Sequence, residues 1–206
     1  MATPALPPVG LVLLAAGASR RLGQPKQLLR YQGQSLLRRT AETALAVGCG
    51  PLVVVTGAVH EELVAELTSL PALVVHNPHW PAGMGTSVRV GLGALCQHCP
   101  DVGAAIVLVS DQPCLSVAVL RRLVAAHRLG GAPLAAAAYG GRVGVPALFA
   151  RAWFPALCQL PAEAGARWLL RQHAAQVTVL PWPAGRFDID TPADYHRLLD
   201  SPLTAE

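Results

Sequence analysis

The chain has 206 residues, 52% of them hydrophobic and 14% charged, with a formal net charge of +4. That length makes one domain with a sizeable core the default, and the apolar content excludes a disordered chain. No apolar run approaches the roughly 18–20 residues that span a bilayer, and the N-terminal MATPALPPVG lacks the basic region of a signal peptide, so a cytoplasmic protein is expected.

The first element is the apolar run Val9 to Leu14, which has the length and branching of a buried strand. Ala15, Ala16 and Gly17 follow, then Ser19, Arg20, Arg21, Gly23 and Lys26 in a loop. Pro25 pushes Gln24 towards extended geometry, so this loop is not helical throughout. Small residues let the backbone approach a ligand closely, and N–H groups in such a loop form an anion-binding nest. With the positive side chains added, the stretch suits a polyphosphate. Its spacing fits neither G-x-x-x-x-G-K-[ST] nor G-x-G-x-x-G.

Lys26 is the single lysine beside fifteen arginines. A chain that uses arginine for generic positive charge keeps a lysine here, as at phosphate sites that need a compact point charge. The competing reading is a lysine surviving by chance on a solvated loop. The first 41 residues carry six positive charges and no negative one. That local excess suits an anionic small ligand. It is too compact and too poor in aromatics for nucleic acid.

Further along, apolar periodicity predicts a helix over Ser35 to Val47, stopped by Gly48, then a strand at 52–55. A helix over Val59 to Leu67 and a short strand at 73–75 come next. The Gly- and Pro-rich loop from His76 to Gly85 is irregular, and Thr86 or Ser87 is expected to cap the helix after it, to about Cys96. Ala104 to Val109 reads as a central parallel strand that delivers Ser110-Asp111-Gln112-Pro113. Ser116 caps a helix to about Arg128. Strands at 134–139 and 142–149 flank Gly140-Gly141 as a hairpin. Helices near 150–157 and 163–173, a strand at 177–180 and a terminal helix opening at Pro192 complete the order. The residues from about Ser201 are expected to fray.

Strand and helix thus alternate four times up to residue 128. The expectation is a single Rossmann-like α/β domain with a mostly parallel sheet and helices on both faces. Ligands of such sheets bind at the carboxyl ends of the strands, where the 17–26 loop, the 77–87 loop and Asp111 all fall.

Asp111 ends an apolar strand, so it is a metal ligand or a helix cap, and Ser116 is better placed to cap. Asp190 is a second candidate ligand for Mg²⁺, which takes oxygen donors and phosphate. It also stands where it could cap the last helix. Asp188 is a weaker candidate beside the metal. Asp194 reads as favourable charge at a helix N-terminus. Five cysteines include one C-x-x-C, Cys96 and Cys99, with no second ligand pair for zinc, so free thiols are expected. The histidines lack a nucleophile context. Trp80 is a candidate to flank a base, and Trp153, Trp168 and Trp182 are core or acceptor-pocket candidates.

The stretch Ala15 to Lys26 resembles the signature A-A-G-x-S-x-R-x-G-x-x-K of the molybdopterin nucleotidyltransferases, within the nucleotidyltransferase superfamily. Val55-Thr56-Gly57, Asn77-Pro78 with Gly83 and Thr86-Ser87, Asp111-Gln112-Pro113, Gly144-Val145-Pro146 and Asp188-Ile189-Asp190-Thr191-Pro192 resemble successive motifs of the molybdenum cofactor cytidylyltransferases. The resemblance covers nearly the whole chain. It implies a nucleotide-binding half over about 9–130 and an acceptor half over about 131–200.

The implied reaction is Mg²⁺-dependent transfer from CTP to the terminal phosphate of molybdopterin. Arg21, Lys26 and Asp111 would carry catalysis, with Arg20 as an assisting candidate at the triphosphate. Mg²⁺ would lie on Asp111 and Asp190. Ala15, Ala16, Gly17, Gly23, Asn77, Gly83, Thr86 and Ser87 would shape the nucleotide site. Two departures stand out. Ser110 replaces a frequent Gly, and Val145 stands where some members have His, which leaves the acceptor less defined. The alternatives are a GTP-using enzyme, a transferase for sugar or alcohol phosphates, a non-catalytic partner that serves a molybdenum hydroxylase, and a nicotinamide or flavin oxidoreductase. The missing G-x-G-x-x-G weighs against the last.

Overall fold

A computed structural model describes residues 6–200. The expected fraying from Ser201 lies outside the described residues. Its elements are β1 (Val9–Leu14), β2 (Arg30–Tyr31), β3 (Gln34–Ser35), α1 (Leu36–Leu45), β4 (Leu52–Thr56), α2 (His60–Leu67), β5 (Ala72–His76) and α3 (Met84–His98). The order continues with β6 (Ala104–Val109), α4 (Val117–Arg128), β7 (Leu134–Tyr139), β8 (Arg142–Ala150), α5 (Phe154–Cys158), α6 (Ala166–Gln172), β9 (Val177–Pro181) and α7 (Pro192–Asp200).

Among the described residues, one seven-stranded sheet has the order β5-β4-β1-β6-β8-β7-β9. β1 pairs in parallel with β4 and β6, and β4 with β5. β8 is antiparallel to both β6 and β7. A hairpin produces this reversal, since Gly140 and Gly141 adopt φ of 55° and 72°, the geometry of a tight two-residue turn. The sheet is therefore mostly parallel, and one sheet runs through both halves of the chain.

Alternation along the strands divides the core. Val9, Leu11 and Leu13 face α1, α2 and α4, where they meet Leu37, Leu63 and Leu120. Val12 and Leu14 face α3, α5 and α6, with Leu92, Leu157 and Leu169. Each fully buried leucine contributes roughly 1.5–3 kcal/mol. No strand in the middle of the sheet shows polar alternation, because both faces are covered.

Some expectations change. α3 begins at Met84, capped by Gly83 at φ 127°, so neither Thr86 nor Ser87 is the cap. Both lie buried in its first turn instead. The helix expected over 150–157 is a 3-10 turn followed by the short α5, and α6 is shorter than expected. Ser116 caps α4 as expected, accepting from Val119 N, whereas Ser35, expected inside α1, is its cap and accepts from Arg38 N. The ribbon of β2 and β3 had no signal in the sequence. It joins a third, small core of Leu22, Leu29, Tyr31, Leu36, Ile189 and Leu198, which seats α7 against the basic loop.

Candidate functional site

β1 and β6 end side by side, with Leu14 opposite Val109. The residues that follow, Ala15 to Gly17 and Ser110-Asp111, form one edge of the sheet. A cavity of about 230 Å³ lies there. Its walls include Ala15, Ala16, Gly17, Lys26, Trp80, Gly83, Ser87 and Asp111.

The basic loop is held from behind. Ser19 has φ 52° and Gly23 φ 77°, which turns the chain back on itself. The N–H groups of Leu22 and Gly23 donate to Ser19 O at 3.0 and 3.2 Å. Ser19 Oγ accepts from Lys26 N at 3.0 Å. Gln27, only 2% exposed, donates through Nε2 to Ala15 O at 2.8 Å and to Gly17 O at 2.7 Å. Pro25, extended at ψ 109°, opens the one-turn helix that presents Lys26. Gln27 thus fastens the loop to the end of β1. Sequence reading missed it, because a buried glutamine in a loop has no periodicity to betray it.

The charged side chains converge. Lys26 Nζ donates to Asp111 Oδ2 at 2.5 Å and to Asp190 Oδ1 at 3.0 Å. Arg21 Nη2 donates to Asp190 Oδ2 at 2.8 Å. Burial pulls the Lys26 ammonium down, but Asp111 and Asp190 outweigh it and hold its pKa above the ordinary lysine value. Burial likewise pushes Asp190 up, and the bonds and charges of Lys26 and Arg21 hold it below the ordinary carboxylate range. Arg20, Arg21, Ser19, Gly17, Lys26 and Asp190 line a second hollow of about 230 Å³ beside the first.

Asp190 is available for this because other groups cap α7. Thr191 Oγ1 accepts from Asp194 N at 3.3 Å, and the Asp194 carboxylate accepts from Thr191 N at 2.8 Å and from Asp190 N at 3.2 Å. This reciprocal arrangement is a capping box. Asp188 pairs with Arg142 at 3.5 Å, not with Lys26. Asp111 does not cap α4, a task that falls to Ser116.

The 77–87 loop splits into wall and support. Gly83 and Ser87 reach the cavity. Asn77 is fully buried, and its Nδ2 donates to Thr86 Oγ1 and Ser87 Oγ, both at 2.9 Å. Asn77 and Thr86 therefore stand behind the wall and set its shape. A Cβ on Gly83 would collide with the Ala162 carbonyl oxygen, so glycine lets α3 close on the segment before α6. Trp80 backs onto Gly57, where a Cβ would lie 2.8 Å from its Cδ1.

Gln112 crosses to the other half. Its Nε2 donates to Tyr139 OH at 3.1 Å and to Val145 O at 3.3 Å. Trp182 is buried edge-on against Tyr139, with ring centroids 5.7 Å apart. Trp168 is 45% exposed on α6 and is not a core residue. Between α6 and β9 lies a groove of about 520 Å³ lined by Arg142, Arg167, Arg171, Val143, Leu170 and Val179, among others. All five cysteines are free, and the described residues hold no cluster of three or more His, Cys, Asp or Glu that would bind a metal. The carboxylates of Asp111 and Asp190 nonetheless converge on one cation, Lys26 Nζ. Hard oxygen donors aimed at a common positive centre fit a small divalent ion that completes its shell with phosphate and water.

A basic, small-residue loop at the strand ends of a mostly parallel sheet, with the carboxylates of Asp111 and Asp190 gathered beside it, has the chemistry to receive a phosphate group. The chain belongs to the MobA-like NTP transferase domain family, which it matches over residues 11–177. It is 37% identical over 205 residues to nicotine blue oxidoreductase of Paenarthrobacter nicotinovorans, across 94% of this chain and 98% of that protein. It is 26% identical over 190 residues to the molybdenum cofactor cytidylyltransferase of Escherichia coli K12, across 91% of this chain and 93% of that protein. The crystal structure of Rv0371c from Mycobacterium tuberculosis H37Rv superposes with a TM-score of 0.83 at 30% identity, covering 96% of this chain and all of that one. The same protein in complex with manganese gives a TM-score of 0.78 at 28% identity, covering 94% and 99%. No helix among the described residues is long and apolar enough to cross a membrane.

Proposed function

We propose that this protein transfers a cytidylyl group from CTP to the terminal phosphate of molybdopterin and releases pyrophosphate. The observation that carries the reading is the meeting of Arg21 and Lys26 with Asp111 and Asp190 beside the Ala15–Gly17 wall. An acceptor phosphate oxygen forms a bond to the α-phosphorus. The bond from that phosphorus to the bridging oxygen breaks, and pyrophosphate leaves with the electron pair. The nucleophile is already an anion, so no protein base is required. Catalysis is positioning and charge neutralisation.

Arg21 and Lys26 hold the triphosphate, with Arg20 and the loop backbone near Gly23 beside them. Ala15, Ala16 and Gly17 bring backbone close to the nucleotide. Gly83 and Ser87 close the opposite wall, supported by Asn77 and Thr86. Asp111 and Asp190 would hold Mg²⁺, which when bound supplies positive charge at the α-phosphate. The manganese complex of the mycobacterial relative supports a divalent ion. Asp188 acts from outside, through Arg142. The groove of Arg142, Arg167 and Arg171 favours an anionic acceptor in the second half of the chain. A molybdenum hydroxylase in the cytoplasm is the recipient this reading implies.

The test is to incubate the protein with molybdopterin, Mg²⁺ and each NTP in turn, and to measure pyrophosphate. Release with CTP is expected. Release with GTP alone would replace the base, and release only with sugar or alcohol phosphates would replace the acceptor. No release with any pair would leave the non-catalytic partner role. The relative named an oxidoreductase supplies a second reading. Loss of nicotinamide absorbance on turnover, without pyrophosphate, would favour it over transfer.

A further inference from the structure

The two carboxylates assigned to the metal already share a cation. Lys26 Nζ is 2.5 Å from Asp111 Oδ2 and 3.0 Å from Asp190 Oδ1, while Arg21 takes the other oxygen of Asp190. Mg²⁺ bonds oxygen at about 2.0–2.1 Å. A divalent ion on these carboxylates and an ammonium on the same oxygens would crowd and repel one another. One site therefore has two claimants.

We propose that Lys26 is the resident counter-ion of the Asp111–Asp190 pair, and that its transfer to the nucleotide phosphates admits the divalent ion. This rests on the reading of Asp111 and Asp190 as metal ligands. The exchange keeps every charge partnered. Before it, the ammonium neutralises the carboxylates. After it, the ammonium meets the triphosphate and the carboxylates meet the metal. Metal alone would strand the ammonium beside a dication. Nucleotide alone would leave the triphosphate facing two carboxylates. Each ligand must then raise the affinity for the other by the same factor.

The neighbouring hollow gives the ammonium somewhere to go. It is lined by Lys26 itself, Arg20, Arg21 and Asp190. The choice of side chain agrees. An arginine would grip a carboxylate through two parallel bonds in a fixed fork. An ammonium on a four-carbon stem is a point charge that can swing between partners. The single lysine of the chain stands at the one position where this exchange requires it.

The same rarity makes the test clean. Protein labelled with 15Nζ-lysine carries one lysine ammonium signal. Mn²⁺ serves as the probe, its binding read from the resonance of free Mn²⁺ in wild type, Lys26→Met and Lys26→Gln, each with and without CTP. Without nucleotide, the Lys26 variants are expected to bind one Mn²⁺ at least tenfold tighter than wild type. Asp111→Asn should abolish that gain. In wild type, Mg²⁺ alone should leave the 15N signal in place, and Mg²⁺ with CTP should move it. Thermal melts confirm that the variants fold, and the 15N measurement needs no variant. If Lys26→Met and Lys26→Gln bind no tighter than wild type while Asp111→Asn still weakens binding, the exchange is refuted and the metal assignment stands. If Asp111→Asn has no effect on Mn²⁺ with or without CTP, the metal assignment itself falls.

Discussion

Gln27 donates its side-chain amide to the carbonyl of Ala15 at 2.8 Å, twelve residues back along the chain. A second bond to Gly17 O at 2.7 Å leaves both nitrogen protons used in shaping the loop. Gln27→Leu keeps the bulk and leaves two carbonyls without a donor. A loss of about 1–3 kcal/mol in stability is expected for the buried Ala15 carbonyl left unpaired, and less for the exposed Gly17 carbonyl, which water can reach. Nucleotide affinity should fall with it, because the wall of Ala15 to Gly17 loosens. Thermal unfolding and nucleotide titration of Gln27→Leu and Gln27→Glu check this. Glutamate cannot donate and should fare no better.

Asn77 holds Thr86 and Ser87 from inside the protein, and its Oδ1 accepts from His79 N at 3.0 Å. Asn77→Asp swaps the donor for a second acceptor and buries a charge. It should cost about 2–3 kcal/mol or more. Asn77→Ala should cost less than Asn77→Asp, and a reversed ranking in chemical denaturation would show that the amide is not the donor.

The carboxylates should behave as a unit in catalysis. Asp111→Asn and Asp190→Asn are each expected to lower turnover on the order of 100-fold, about 2.7 kcal/mol of barrier. The double mutant should be little worse than either single one, since each already disables the same site. Asp188→Asn should be milder, because Asp188 pairs with Arg142. A kinetic double-mutant cycle decides. Full activity in Asp111→Asn or Asp190→Asn, or a deeper defect in Asp188→Asn, would mean that the ligands lie elsewhere.

The ion cluster also sets a pH window. Asp190 is depressed in the folded state, since Lys26 and Arg21 outweigh its burial. Its contribution is complete above the unfolded carboxylate value of about 3.9 and is lost as pH falls through the lower folded value. Lys26 is raised, since Asp111 and Asp190 outweigh its burial. Its contribution is complete below the unfolded value of about 10.4 and is lost as pH rises through the higher folded value. The cluster therefore stabilises the fold from about pH 5 to about pH 10. Below about pH 4, the Tm of wild type should fall more steeply than that of Asp190→Asn. A Tm series across pH in both proteins measures the difference, and parallel curves would remove Asp190 from the account.

The order of strands and helices was legible in the residues, because continuous apolar runs bounded by turn residues leave little choice in a sheet covered on both faces. The placement of the basic loop, Lys26 and Asp111 at the ends of β1 and β6 was legible too. Their types and their places after apolar strands point to phosphate and metal chemistry without any knowledge of contacts. The ribbon of β2 and β3 was not, since two-residue strands are too short to carry a pattern. Gln27 and Asn77 were not legible as supports, because a buried amide is specified by the carbonyls and hydroxyls around it, which come from distant residues. The partner of Asp190 was likewise open. Local sequence allowed it to cap α7, and only packing decided otherwise. The small core of Leu22, Tyr31, Ile189 and Leu198 draws α7 against the basic loop, Thr191 and Asp194 satisfy the helix end, and the freed Asp190 carboxylate comes to Lys26 across 164 residues of chain.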